Sequence, residues 1–139
     1  MGLLDKIVQN TKFVAKAVRA ATRERVQPAP REPLPKGEAR DYTADELRGY
    51  DGSDKTRPVL LAIEGRVFDV THGRSFYGKG GPYEMFAGRE CAVALAKMSF
   101  DEADVHGDTS VLDDFERGKL NDWLETFEGK YVELGKLVS

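Results

Sequence analysis

The stretch from Ser75 to Glu90, SFYGKGGPYEMFAGRE, limits what this chain can become more than any other. It lies between a strand-like run and a helix-like run, with Tyr77 and Tyr83 on either side of Gly78, Gly80 and Gly81. Glycine reaches backbone conformations closed to other residues, and Pro82 suits the first position of a helix. The spacing predicts a sharp turn, then coiling from Tyr83 onward, with two phenols held at one bend. Such a concentration of aromatic and conformationally special residues reads as a site rather than a linker.

The 139 residues, 40% hydrophobic and 32% charged, suit one globular domain with an additional segment. The single cysteine, Cys91, excludes an internal disulfide framework and points to a reducing, intracellular compartment. It reads as a small apolar residue on a buried helix face. The net charge of -3 is unevenly divided: residues 1–26 carry six basic and two acidic side chains, the remainder 15 basic and 22 acidic ones. An acidic body without a basic stripe among its aromatics does not suit nucleic acid.

Residues 1–26 place Leu3, Leu4, Ile7, Val8, Val14, Val18 and Ala21 on one helical face and Lys12, Lys16, Arg19 and Arg23 opposite. A basic amphipathic helix is expected. Its apolar runs fall far short of the roughly 18–20 residues that span a bilayer, and no secretory pattern is evident. Three uses compete: lying on an anionic membrane surface, packing on its own domain or a partner, and mitochondrial targeting. Four of the six prolines then fall between Gln27 and Gly37, so residues 27–39 read as an extended linker.

The domain, residues 40–139, opens with a short strand at Asp41 and Tyr42. Thr43 and Glu46 have capping-box spacing for a helix to about Tyr50, stopped by Asp51 and Gly52. VLLAIEGRVFDVT reads as a hairpin turning at Glu64 and Gly65, with Val67 and Val70 facing away from Phe68. A short helical piece at Glu84 to Phe86, a helix from Glu90 to Met98 and a polar loop from Asp101 to Ser110 follow. Asp113 and Glu116 have cap spacing for a long helix that buries Leu120, Trp123, Leu124 and Phe127, and Tyr131 to Leu137 returns to the sheet. Strands segregated from helices argue an α+β fold.

His72 and His106, the only histidines, lack zinc-site spacing, and no GxSxG, Walker A or GxGxxG sequence occurs. What remains is tyrosine in a glycine-rich turn. A phenol ionises at about pH 10, but ferric iron stabilises the phenolate enough to make tyrosine an axial haem ligand. The competing role is structural, with the hydroxyl bonded to a backbone group.

The order YTxxEL, IxGxVFDVT, FYGxxGPYxxFAG, then DW and a downstream KY, closely resembles the membrane-associated progesterone receptor (MAPR) family of cytochrome b5-like haem/steroid-binding domains, over about residues 40–139. The resemblance implies a cytochrome b5-like fold binding haem b. Tyr83 matches the family's axial ligand to a five-coordinate ferric iron, and Tyr77 lines the same pocket. Lys130 and Tyr131 match residues that donate hydrogen bonds towards the ligand oxygen or a propionate. Phe86 and the apolar face from Cys91 to Met98 would form the wall. The resemblance further implies a non-catalytic regulator of haem-thiolate monooxygenases or of sterol and haem handling, peripheral on an endomembrane such as the endoplasmic reticulum through residues 1–26. An open haem face would allow a haem-dependent dimer. Two departures stand out: Glu90 occupies a position where some members have aspartate, and the transmembrane helix that many members carry is lacking. The bis-histidine electron carriers of the superfamily use an HPGG-type loop, where this chain reads THGRSFYG. Electron transfer and a haem-independent interaction module are the rival functions, and mitochondria the rival address.

Overall fold

The computed structural model describes residues 34–138, so the amphipathic segment and most of the linker lie outside the described residues. Strand β2 (Leu60–Ile63) and strand β3 (Arg66–Asp69) form an antiparallel hairpin in which Ile63 pairs with Arg66. Glu64 and Gly65 turn it with φ of 49° and 75°, the left-handed pair that matches the twist of the flanking strands. Strand β1 (Tyr42–Thr43) and the final strand β4 (Val132–Val138) complete a mixed sheet ordered β1-β4-β3-β2, parallel between β1 and β4 and antiparallel elsewhere. Helices segregated from this curled four-stranded sheet make the fold α+β.

Every residue of β2 is fully buried, so the sheet has a core on each side. Leu61, Ile63 and Phe68 face the larger one, which the helices cover. Leu60, Ala62, Val67 and Leu134 face a smaller one, closed by Tyr42 and by Leu47 of helix α1 (Ala44–Arg48). Val67 points away from Phe68 as expected, but Val70 does not: it joins Phe68 in the larger core. Residues 68 and 70 are two apart, which places them on one face of an extended chain.

Both capping boxes form. Thr43 Oγ1 accepts from Glu46 N at 3.1 Å while Glu46 Oε1 accepts from Thr43 N at 3.0 Å, and Asp113 and Glu116 repeat the exchange at 2.8 and 3.0 Å. The second box opens the 17-residue helix α4 (Asp114–Lys130), in which Leu120, Trp123, Leu124 and Phe127 are buried. Each such side chain contributes about 1.5–3 kcal/mol by leaving water.

Between β3 and α4 lie helix α2 (Arg74–Tyr77) and helix α3 (Ala92–Lys97). Helix α3 begins two residues later than its apolar pattern suggests because Glu90 and Cys91 serve the sheet. Glu90 bridges Ala62 in parallel, Ala62 N donates to Arg89 O at 3.0 Å and Cys91 N donates to Ala62 O at 2.9 Å. The free edge of β2 is thereby covered. Met98, left-handed at φ 52°, ends the helix. The polar loop after it contains two 3-10 turns, Glu102–Asp104 and Thr109–Val111, each capped by the aspartate before it.

Candidate functional site

After α2 the chain doubles back. Tyr83 N donates to Phe76 O at 2.8 Å, and Gly81 lies so near that carbonyl that a Cβ on residue 81 would overlap it. Close approach is therefore what position 81 requires. Of the three turn glycines, Gly80 alone takes a left-handed conformation, φ 87°. Pro82 and Tyr83 then lead into a 3-10 turn, Glu84–Phe86, with Tyr83 at its N-cap.

This reversal builds a stack. The Tyr83 ring lies 6.2 Å from Phe76 at 13°, 5.8 Å from Phe86 at 9° and 5.7 Å from Phe100 at 14°. Four nearly parallel rings thus form one apolar block, and Tyr83 is 3% exposed within it. Tyr77, from the end of α2, is tilted against Tyr83 at 5.7 Å and meets Tyr131 edge-on at 6.3 Å. Lys130, the last residue of α4, places Nζ 5.2 Å above the Phe76 ring and 5.4 Å from the Tyr131 ring. The structure therefore brings Tyr77, Tyr83, Lys130 and Tyr131 into one neighbourhood, with Tyr77 and Phe76 as the connecting rings.

Burial controls the chemistry of the phenols. It pushes Tyr83 well above the ordinary tyrosine range, and it does the same to Tyr77, reinforced by neighbouring Tyr131, Cys91 and Tyr83. Both stay protonated near neutral pH unless a cation takes the proton's place. Burial likewise raises the thiol of Cys91, leaving it inert; it is buried as expected, but it precedes α3 and pairs with Ala62 instead of lying on a helix face.

Three participants escaped sequence reasoning. Phe76 and Phe100 complete the stack around Tyr83, yet Phe76 is overshadowed by its tyrosine neighbour and Phe100 sits at the start of a polar loop. Gly73 is the third: a Cβ there would overlap the Tyr131 hydroxyl, so the turn after β3 must be bare for that ring to seat. Phe86 and the residues Ala92 to Ala96, which the resemblance implied as wall, are fully buried, all but Val93 in the larger core.

Glu90 has a structural assignment. Its Oε1 accepts from Gly65 N at 2.6 Å and its Oε2 from Ala92 N at 2.8 Å, which ties the hairpin turn to the start of α3. Desolvation nevertheless raises its pKa above the usual carboxylate range. The histidines stand apart from the stack: His72 is exposed on a 3-10 turn, and His106 Nδ1 accepts from Asp108 N at 3.1 Å. Among the described residues no group of three or more His, Cys, Asp or Glu side chains is placed to hold a metal ion, and no helix is long and apolar enough to cross a membrane.

Residues 43–130 match the family described as the cytochrome b5-like heme/steroid binding domain. Membrane steroid-binding protein 1 of Oryza sativa is 51% identical over 105 residues, 75% of this chain and 45% of that protein. The cytochrome P450 regulator dap1 of Schizosaccharomyces pombe is 48% identical over 109 residues, 73% of this chain and 65% of that protein. Membrane-associated progesterone receptor component 2 of Homo sapiens is 40% identical over 113 residues, 79% of this chain and 50% of that protein. The chain thus spans between 45% and 65% of the length of these three. A solved Arabidopsis thaliana structure described as having a cytochrome b5 like fold superposes with a TM-score of 0.67 at 47% identity, covering 75% of this chain and 95% of that one.

Proposed function

Because the chain belongs to the cytochrome b5-like heme/steroid binding family, and within it to the membrane-associated progesterone receptor group, we propose that it binds haem b through Tyr83 and acts as a non-catalytic regulator. The observation that carries this is the Tyr83 stack: a buried, protonated phenol enclosed by three nearly parallel phenyl rings. The residues fit the group. A phenol is a hard oxygen donor suited to ferric iron, the flat rings match an apolar macrocycle, and neither histidine lies among them. Tyr83 would hold the iron, Tyr77 would line the pocket, and Lys130 with Tyr131 would donate hydrogen bonds at its edge. When bound, haem supplies a ferric centre whose electron affinity the anionic phenolate lowers. The protein's own part is to desolvate that phenol, to orient it through the Tyr83 to Phe76 backbone bond, and to exclude water with Phe86 and Phe100.

A sterol reading shares the same support, since parallel rings also suit a flat, rigid polycycle. Regulation of a haem-thiolate monooxygenase is proposed by analogy with the relative that carries the regulator name. Endomembrane attachment through residues 1–26 is proposed from their charge and apolar pattern. The test is a haemin titration of the chain beside Tyr83→Phe. We expect a saturable one-to-one Soret change with a high-spin ferric spectrum, weakened at least about tenfold in the variant. Equal binding by both proteins rules Tyr83 out as the ligand, and a sterol that competes with haemin places both ligands at one site.

A further inference from the structure

A cavity of about 190 Å³ opens where the linker joins the domain, between the 3-10 turn after β3 and the start of β4. Lys36, His72 and Lys130 line it together with Tyr131. Its one carboxylate, Asp69, is fully committed: Oδ2 accepts from Gly37 N at 2.9 Å, and Oδ1 accepts from Thr71 N at 3.0 Å and from the Thr71 hydroxyl. Among the described residues neither Lys36 nor Lys130 forms an ion pair. A cavity edged by two lysines with no ion pair among the described residues is conspicuous in a body where acidic residues outnumber basic ones, 22 to 15 after residue 26. Two lysines against one aspartate leave its lining net positive, which favours an anion.

The anion should carry an apolar body. Val132 lines the same cavity and, at 66% exposed, is the most exposed large hydrophobic residue described, while buried Leu134 forms the floor. The Gly37 to Asp69 bond fixes the end of the linker to this rim, and the described chain begins just before it, at residue 34. We propose that this cavity binds the phosphate headgroup of an anionic membrane lipid, with Val132 against the acyl edge. The contact holds the domain itself, and not merely its leading segment, on the bilayer. This deepens the membrane reading of the proposed function and specifies which face of the domain meets lipid. Lys36 and His72 line this cavity and make none of the ring contacts described for the aromatic stack, whereas Lys130 borders that stack as well.

The test uses the full chain, short-chain lipids below their micelle concentration, and backbone amide NMR. Dihexanoyl phosphatidic acid should shift the Gly37, His72 and Val132 amides saturably, with dihexanoyl phosphatidylcholine and inorganic phosphate far weaker. Lys36→Glu with His72→Gln should reduce phosphatidic acid affinity about tenfold or more, leaving the remaining spectrum and haemin binding in place. Absence of these shifts, equal shifts with inorganic phosphate, or an unchanged affinity in the variant would overturn the proposal. Failure of the leading segment is separable, because Lys12→Glu with Lys16→Glu should weaken binding to phosphatidylserine vesicles while leaving the short-chain lipid shifts intact. Vesicle binding that survives those two changes counts against the amphipathic segment only.

Discussion

The two sides of the sheet solve different problems. On one side, Tyr42, Leu47, Leu60, Ala62, Val67 and Leu134 form a small core that is purely structural; Tyr42 even directs its hydroxyl to the Glu38 carbonyl at 2.8 Å, as a core-capping tyrosine should. On the other side the aromatic rings continue without a break from core to site: Phe68 meets Phe127 at 5.5 Å, Phe127 meets Tyr77 and Tyr131, and Tyr77 meets Tyr83. Tyr42 thus takes the structural role its sequence context allowed, whereas Tyr77 and Tyr83 belong to the continuous run of rings on the other side. Where core and site share rings, substitutions should change stability and binding together; where they do not, stability alone should change.

The most damaging single change should be Phe127→Ala, which removes a ring contacting Phe68, Tyr77, Trp123 and Tyr131. We expect a loss of about 3–5 kcal/mol in denaturant unfolding and weaker haemin binding in the fraction still folded. Leu47→Ala, in the opposite core, should cost about 2–4 kcal/mol with haemin affinity unchanged; a parallel fall in affinity would show that the two sides are coupled through the sheet. Smaller still, Asp113→Ala should cost about 1 kcal/mol by removing the α4 cap, again without a binding effect. The mildest test concerns pH. Glu90 has a raised folded-state pKa, so its charged form is disfavoured by folding, and its contribution is fullest below the unfolded value and lost as pH rises through the folded one. Relative to Glu90→Gln, the parent should therefore lose stability from about pH 4 upward, measured by urea unfolding across a pH series.

What could be read from the sequence follows the range of the interactions. The capping boxes at Thr43 and Asp113, the left-handed turn at Glu64 and Gly65 and the buried stripe of α4 are written within a few residues, and all of them form. The late start of α3 was hidden because Glu90 and Cys91 are diverted by Ala62, nearly thirty residues earlier. Gly73 was hidden for the same reason: nothing near residue 73 announces that Tyr131 will press against it. Phe100 shows the other failure, an aromatic in a polar loop whose partners at 83 and 86 lie beyond an intervening helix. The motif order around Tyr77, Tyr83, Lys130 and Tyr131 located the candidate site, whereas the stack that desolvates Tyr83 needed the fold.

The place of β4 sets a timetable for folding. This strand lies inside the sheet, yet it is the last element of the domain to leave the ribosome, and its Lys136 N–H closes on Asp41 across 95 residues of chain. Until it arrives, β1 has no partner and β3 is open along one edge, so the sheet cannot be completed in stages from the N-terminus. The nascent domain must wait, with an unpaired hairpin edge, for its final seven-residue strand. Truncation within that strand should therefore leave β1 unpaired and β3 open along one edge.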